Sequence, residues 1–484
     1  MRLIVDNLWT MIQGDKSLIE KPTSYFKQGA WFSKLYRQGK WDGRVRFIER
    51  DPLTKMNKFP TGLLRAVVDH LDTLSATYDV VDVRQIPEVT PKFTLAHSSL
   101  GQIHLDQGKY DYQGQALEES LLQGRGILKL ATNGGKTELG AAIINSVGGQ
   151  WMWVTGKKGL LFQTRDRLSE RLQQPIGILG DQQEDLQDVT VCMVQTIDSV
   201  FKKSGREHIR DWCRMCVGFI GDEMHHCQSD QWYRNFCEFP AAWRFGLTAT
   251  PPLDHDGGMF LQAITGSIIY EVPSLELIAR GVSVPPRIWY IPMDGPELKK
   301  KEAYPTIYSQ GIVHNQQRNE RIAKVARIFA SERKPTLILV NRLNHGKEIH
   351  NTLDGQGVQY GWIHGKVKQK DRDAQFDQLW SGRLDCVVAM AECCGEGVDL
   401  PHLRAVINAT GTRGGGSPEE QETGRLTIQI LGRILRSDEG KEYCDYVDFI
   451  DNCHKSLLKA SLARIETLES EGYGKFIKYW SEYI

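Results

Sequence analysis

The run Leu130-Ala131-Thr132-Asn133-Gly134-Gly135-Lys136-Thr137 contains the residue types that hold a chain of phosphates, and the helix-like Glu138-Leu139-Gly140-Ala141-Ala142-Ile143-Ile144 follows it. A glycine-rich turn over a helix N-terminus directs backbone N–H groups at phosphates. Lys136 would neutralise the terminal phosphates and the Thr137 hydroxyl could ligate Mg2+. Leu130 stands where the common phosphate-loop pattern has its first glycine, and the segment alone also reads as a Gly-Gly turn with an incidental lysine. Further on, Phe219-Ile220-Gly221-Asp222-Glu223 sets two carboxylates at the end of an apolar run, where a parallel sheet presents its ligands. Asp222 would hold Mg2+ and Glu223 would activate the attacking water. Phosphoryl transfer is largely positioning and electrostatics, so a cation for the γ-phosphate is also wanted. The stretch Gln429-Ile430-Leu431-Gly432-Arg433-Ile434-Leu435-Arg436 offers one, with arginines at i and i+3 on one face of a helix. By themselves those arginines read more simply as a solvated salt-bridge cluster. In this order, the three segments point to ATP hydrolysis.

Such residues need a sheet to present them. From Gly126 onward, short β-rich runs alternate with helical stretches, the pattern of a parallel sheet covered on both faces. Strands are predicted over 126–131, 151–155, 189–194, 217–221 and 244–247. A second series is predicted over 336–340, 359–363, 386–389, 405–409 and 443–449. The reading is an α/β protein: a small N-terminal α+β domain over residues 1–100, an ATP-binding lobe over 101–275 and a second lobe over 276–484. Gly411 to Gly424 reads as a surface loop. The stretch from Ser456 to Gly472 reads as a helix whose Leu458, Leu462, Ile465 and Leu468 pack on the second lobe.

A chain of 484 residues is too long for one ordinary core. Its 40% hydrophobic and 25% charged residues are those of a globular protein, and no apolar run approaches membrane-span length. With no leader pattern at the N-terminus, a cytoplasmic location is expected, in a bacterial host if the chain is phage-encoded. Several of the ten cysteines lie in strand-like runs, which suits reduced core thiols. Cys213 and Cys216, with Cys227, Cys237, His225 and His226 nearby, form the one arrangement that invites a zinc reading, and it is the weaker one.

Basic and acidic residues balance at 60 each, so overall charge says nothing of a polyanionic partner. The local distribution does. Between Tyr25 and Pro60 nine basic residues face three acidic ones, interleaved with eight aromatics (Tyr25, Phe26, Trp31, Phe32, Tyr36, Trp41, Phe47, Phe59). Phosphate contact with base stacking would use such a surface, although a small domain also needs aromatics for its own core. Arg44 and Arg46 alternate with Val45 and Phe47, which in a strand puts both arginines on one face. Lys40, Trp41, Arg44 and Arg46 are the candidate contacts.

Tyr112-Gln113, the phosphate loop, Asp222-Glu223-Met224-His225, Gly246-Leu247-Thr248-Ala249-Thr250-Pro251, Gly397-Val398-Asp399 and Gln429 to Arg436 together resemble the ordered motif set of superfamily 2 helicases of the DExH kind. That resemblance implies two RecA-like lobes. It also implies that Gln113, beside Tyr112, reads adenine, that Thr132, Asn133, Gly134, Gly135, Lys136, Thr137, Gly397 and Asp399 bind the nucleotide, and that His225, Thr248 and Thr250 couple ATP state to movement. Arg436 would be the arginine finger beside Arg433 and Gln429. Thr155 and the 158–164 segment with Gln163, then Gln195, Thr196, His364 and Gly365, would line the nucleic-acid track. Ala391 departs from the pattern, standing where many relatives have threonine. Ile312-Val313-His314-Asn315 with Arg318-Asn319, and Tyr446 to Asp451, are similar to phage recombination helicases of the UvsW kind and to transcription-repair helicases. Gly39 to Arg44 and Phe59 to Leu64 resemble the small domain that precedes the motor in the UvsW kind.

The resulting expectation is an ATP- and Mg2+-dependent DNA helicase or translocase, monomeric, acting on branched or duplex DNA in recombination, replication or repair, with RNA as another possible track. The alternatives are a duplex translocase subunit of a restriction system, an RNA helicase, and a non-hydrolysing clamp or annealing protein. The intact set Lys136, Asp222, Glu223 and Arg436 argues against the last.

Overall fold

The computed structural model describes residues 1–84, 86, 88–96, 108–202, 204–223, 230–251, 256–394, 400–412 and 425–480. It forms two compact units, Met1–Val272 and Pro273–Ile484.

The first unit opens with a five-stranded sheet in the order Glu49–Arg50, Asn57–Pro60, Trp9–Gln13, Arg2–Val5, Asp79–Asp82. Its strands bury alternate residues, Leu3 and Val5 in the first and Thr10 and Ile12 in the second, as expected of a sheet with one covered face. The helix Leu64–Thr73 contributes Val67 and Leu71 to that core. A small ribbon pairs Ser24–Phe26 with Arg44–Arg46.

The same unit holds an eight-stranded sheet ordered Gln183–Asp185, Ile176–Gly180, Val189–Met193, Trp151–Thr155, Gly218–Asp222, Trp243–Thr248, Arg125–Leu130, Ile268–Val272. Every pairing is parallel except that of the edge strand Gln183–Asp185. Trp151–Thr155 is buried along its whole length because helices cover both faces, and its Trp-Met-Trp-Val composition is apolar on both sides. Each such large side chain removed from water contributes roughly 1.5–3 kcal/mol. Helix Lys136–Val147 lies close on this sheet at Gly140, where a Cβ would come within 2.5 Å of the Trp153 ring.

The two parts of the first unit share a core. Phe47 and Tyr25 pack on Phe260 with ring centroids 5.2 and 6.2 Å apart, and Phe47 meets Tyr233 at 5.4 Å. Gly62 lets the N-terminal chain approach helix Asp256–Ile264, since a Cβ there would fall 2.5 Å from the Ala263 carbonyl. Arg125 ties the same junction by donating to the Thr265 and Asn7 carbonyls, each at 2.9 Å. Thus Phe47 and Phe59, counted among the candidate nucleic-acid aromatics, are core residues.

The second unit is a seven-stranded, wholly parallel sheet ordered Tyr360–Ile363, Cys386–Met390, Thr336–Val340, Ala405–Asn408, Cys444–Asp451, Pro286–Met293, Ile477–Tyr479. Two ion pairs lie inside it. Arg318 donates to Asp451 at 2.8 Å and Arg464 forks onto Asp448 at 2.8 and 2.9 Å, all four side chains being at most 1% exposed. The final helix, Lys455–Ser470, packs Ile465 and Leu468 of the expected apolar face, with Leu458 half-buried and Leu462 turned outward. Leu457, Arg464, Ile465 and Leu468 are buried whereas Leu462 is 51% exposed, because the Asp448 partner draws Arg464 inward. Ile176–Gly180, Gln183–Asp185, Ile268–Val272, Pro286–Met293 and Ile477–Tyr479 are strands beyond the ten expected.

Candidate nucleotide and nucleic-acid site

Strand Arg125–Leu130 delivers the chain into the turn 131–135 at the carboxyl end of the first lobe's sheet. The Gly134 N–H closes the turn on the Ala131 carbonyl at 2.9 Å. Asn133 and Gly135 take left-handed conformations, φ 74° and 78°, which asparagine tolerates and glycine adopts freely. Gly135 is the N-cap of helix Lys136–Val147 and supplies no side-chain cap. The first-turn N–H groups are therefore presented at the turn, with the positive end of the helix behind them.

Asp222 ends strand Gly218–Asp222, and Glu223 follows at φ 49°. Left-handed backbone at a glutamate is held only by its surroundings, and such outliers concentrate at functional sites. Glu223 Oε1 stands 2.5 Å from Lys136 Nζ, both side chains largely shielded. The loop lysine and the strand-end carboxylate therefore meet at one point. Buried Gln113, on helix Asp111–Gln123, aims its amide at the Gly134 carbonyl, 3.4 Å away, with Tyr112 beneath it. Thr132 and Thr137 are half-buried on the same turn. Thr248 ends the neighbouring strand Trp243–Thr248, and its hydroxyl accepts from the Thr250 N–H at 3.2 Å.

A second feature of this site escaped the sequence reading. Glu138, in the first turn of the phosphate-loop helix, is 3% exposed and pairs with Arg167 at 2.7 Å and Arg171 at 2.8 Å, both on helix Lys158–Leu172. An acid set in the apolar run Leu139-Gly140-Ala141-Ala142-Ile143 was the available signal.

Thr155, Gln195 and Thr196 gather where strands Trp151–Thr155 and Val189–Met193 end, and Gln195 donates to the Gly156 carbonyl at 3.1 Å. The buried Thr155 hydroxyl has no hydrogen-bond partner among the described residues. Gln163 is exposed on helix Lys158–Leu172. In the second unit His364 and Gly365 follow strand Tyr360–Ile363, and Arg372 donates to the His364 carbonyl at 3.3 Å.

Gln429 and Arg433 lie on helix Arg425–Ile434, where Arg433 donates to the Cys394 carbonyl. Arg436 does not share that helical face. The helix stops at Ile434 because Leu435 accepts from the Val284 N–H at 2.8 Å and Arg436 pairs as an isolated bridge with Ser283. Ala391 is buried in the turn Ala391–Cys393. His225, Gly397, Asp399 and residues 413–424 of the expected loop lie outside the described residues.

In the N-terminal ribbon, Arg44 and Arg46 are exposed, Val45 is half-buried and Phe47 is buried, so the expected alternation is present. Trp41 donates to the Arg44 carbonyl at 2.9 Å, and Lys40 is exposed. Arg46 pairs with Asp42, holding that carboxyl down at about 2. Cys213 and Cys216 are buried thiols, and burial pushes Cys213 up to about 12, as befits a core side chain. Among the described residues no helix is long and apolar enough to cross a membrane.

Two units built on largely parallel sheets, one carrying a Gly134-Gly135-Lys136-Thr137 turn opposed by strand-end carboxylates, have the architecture of a nucleotide-driven motor of the helicase class. Residues 108–253 match the family model described as the res subunit of type III restriction enzymes, and residues 297–438 match the helicase conserved C-terminal domain. The chain is a superfamily 2 helicase, and among curated proteins it resembles the ATP-dependent DNA helicase uvsW of Enterobacteria phage T4. The two are 22% identical over 89% of this chain and 85% of the phage protein. It is 23% identical to putative helicase 22 of Sulfolobus islandicus filamentous virus, over 72% of this chain and 65% of that protein. In fold it is similar to the ATP-dependent Type ISP restriction-modification enzyme LlaBIII bound to DNA, with TM-score 0.56 and 14% identity over 87% of this chain and 36% of that one.

Proposed function

We propose that the chain is an ATP-dependent DNA helicase or translocase that unwinds or branch-migrates DNA in recombination or repair. The observation that carries this reading is the meeting of Lys136 and Glu223 at 2.5 Å, at the carboxyl end of a parallel sheet and over an uncapped helix N-terminus. Those groups suit a nucleoside triphosphate: N–H groups and Lys136 for the phosphates, Glu223 to take a proton from water, and Gln113 for the base. The carboxylate of Asp222 and the hydroxyl of Thr137 form a hard-oxygen donor set suited to Mg2+, which when bound neutralises charge on the phosphates. Arg436 is assigned the cation that balances the γ-phosphate during transfer, with Arg433 and Gln429 supporting it. Thr155, Gln163, Gln195, Thr196, His364 and Gly365 are assigned to the DNA track. Lys40, Trp41, Arg44 and Arg46 form an accessory contact on the N-terminal domain.

The test is ATP turnover without nucleic acid and with single-stranded, duplex and branched DNA and a structured RNA, beside Glu223→Gln. Stimulation by branched or duplex DNA above RNA, abolished in Glu223→Gln, is expected. Stimulation by RNA alone would overturn the DNA assignment, and turnover surviving in Glu223→Gln would overturn the site.

The match of residues 108–253 to the res subunit of type III restriction enzymes favours a second reading, a translocase that tracks along duplex without parting it. Displacement of a triplex-forming strand with no unwinding of a fork would select it.

A further inference from the structure

Large apolar side chains of the N-terminal segment fall into two sets. Tyr25, Phe47 and Phe59 join the core, whereas Phe26, Trp31, Phe32 and Leu35 stay outside it, 41%, 49%, 71% and 54% exposed. The outer set is a cluster. Phe26 and Trp31 stack with centroids 6.4 Å apart and planes 16° from parallel, and Trp31 meets Phe32 at 5.8 Å. Its backbone is fixed locally: Gly29, at φ 73°, opens the turn Ala30–Phe32, and Arg37 Nε donates to the Trp31 carbonyl at 3.0 Å. Large rings held together at the surface mark an interaction site more often than scattered apolar residues do.

The surroundings suggest the occupant. From Ser24 to Arg46 the chain carries Lys27, Lys34, Arg37, Lys40, Arg44 and Arg46 against one acid, Asp42, which is already paired with Arg46. Among the described residues Lys27, Lys34 and Lys40 pair with no carboxylate. Cations suit phosphates, and flat rings suit the faces of bases that are not already stacked. An intact duplex exposes phosphates and groove edges but no base faces.

We propose that Trp31 and Phe32 stack on an unpaired base of the DNA, with Lys34 and Arg37 against the flanking phosphates. The N-terminal domain thereby recognises single-stranded segments at a fork or junction. This rests on the DNA-motor reading above and adds the structural class of DNA that the domain selects.

The experiment uses the full chain and the double variant Trp31→Ala, Phe32→Ala. Fluorescence anisotropy would follow binding to an oligo-dT strand, a fork and a blunt duplex across a salt series, with ATP turnover of both chains measured without DNA and with each of the three DNAs. Loss of one or two stacked bases lowers affinity for the strand and fork by about ten- to a hundredfold. The salt slope, the blunt-duplex affinity and the DNA-free turnover stay within about twofold of the parent, because no phosphate contact is removed. Trp31→Phe with Phe32→Tyr keeps both rings and retains strand binding, which separates stacking from damage to the fold. Equal losses on blunt duplex and single strand, or no loss on either, would overturn the proposal. A parent chain stimulated by no DNA would instead refute the motor reading, so the two failures are distinguishable.

Discussion

Replacing Gly135 with alanine tests whether the phosphate loop needs the conformation seen here. At φ 78° an alanine is left-handed, which costs about 1–2 kcal/mol. The new Cβ would also overlap Gln113 Nε2 and lie 3.2 Å from Gln113 Cδ, so the amide has to leave the Gly134 carbonyl, a long contact of 3.4 Å contributing at most about 1 kcal/mol. If the loop bears this strain when it closes on phosphates, the combined total of about 1–3 kcal/mol weakens nucleotide binding by about 5- to 150-fold. A control lies at the other end of the same helix. Gly148 also has a positive φ, 72°, but its Cβ would meet nothing within 4 Å. Gly148→Ala should therefore lower stability by about 1–3 kcal/mol, because φ 72° with ψ −170° is backbone that glycine alone adopts freely, and leave nucleotide affinity alone. A fluorescent ATP analogue titrated into both variants, with urea midpoints beside it, gives the answer. Gly135→Ala binding within about twofold of the parent would refute the reasoning, as would equal affinity losses in the two variants.

Glu223→Gln should keep ATP bound and lower turnover by about 10²–10⁴-fold, since a general base is removed while the Lys136 neighbour stays hydrogen-bonded; single-turnover kinetics check it, and unchanged turnover refutes the base assignment. Arg464→Met strands the buried Asp448 carboxylate and should destabilise the chain by about 3–5 kcal/mol in urea unfolding. Adding Asp448→Asn should recover much of that loss, and a double variant no better than the single would contradict the ion-pair account. Burial lowers Lys441 from 10.5 to about 8. Because the unfolded chain then holds more protons between those values, stability gained from this residue rises with pH from about 8 to 10.5. The urea midpoint of the parent relative to Lys441→Met should climb over that window, and a flat difference rejects the shift.

Much of the candidate nucleotide site was legible because the signals that place its residues are local. A turn that must cradle phosphates needs glycine and lysine in adjacent positions, and a strand that must end in carboxylates announces itself as an apolar run followed by Asp-Glu. Central strands were legible for a related reason: Trp151–Thr155 and Thr336–Val340 are apolar on both faces, so their composition alone marks them. Glycine- and proline-bearing strands were not. Ile176–Gly180 carries glycine at two of its five positions, and Pro286–Met293 contains two prolines, residues that argue against a central strand on local grounds. Both persist because neighbours on each side complete their pairing. The end of helix Arg425–Ile434 was illegible for the same reason, since its stop is set by Val284 and Ser283, far away in sequence.

The segments around Asn315 to Asn319 and Tyr446 to Asp451 entered the sequence reading as marks of kinship, and the structure gives them a mechanical role. Asn315 caps helix Gln316–Ser331 by accepting from the Arg318 N–H at 3.2 Å, and Asn319 Oδ1 accepts from the His345 Nε2–H at 3.1 Å. Arg318 then reaches both Asp451 and the Ala409 carbonyl, 3.0 Å away, while Arg464 reaches both Asp448 and the Thr412 carbonyl at 2.6 Å. Each arginine thus ties the strand Cys444–Asp451 to the chain just beyond the strand Ala405–Asn408. Asn408 closes the network by donating to Asp448 and to the Tyr446 hydroxyl, both at 2.9 Å. Buried ion pairs of this kind add little net stability over an apolar core, but a missing member leaves a charge stranded, so the arrangement penalises any slip of one strand against the other. A motor lobe whose carboxyl-end loops must keep their spacing through repeated ATP cycles gains more from that resistance to slippage than from additional apolar burial.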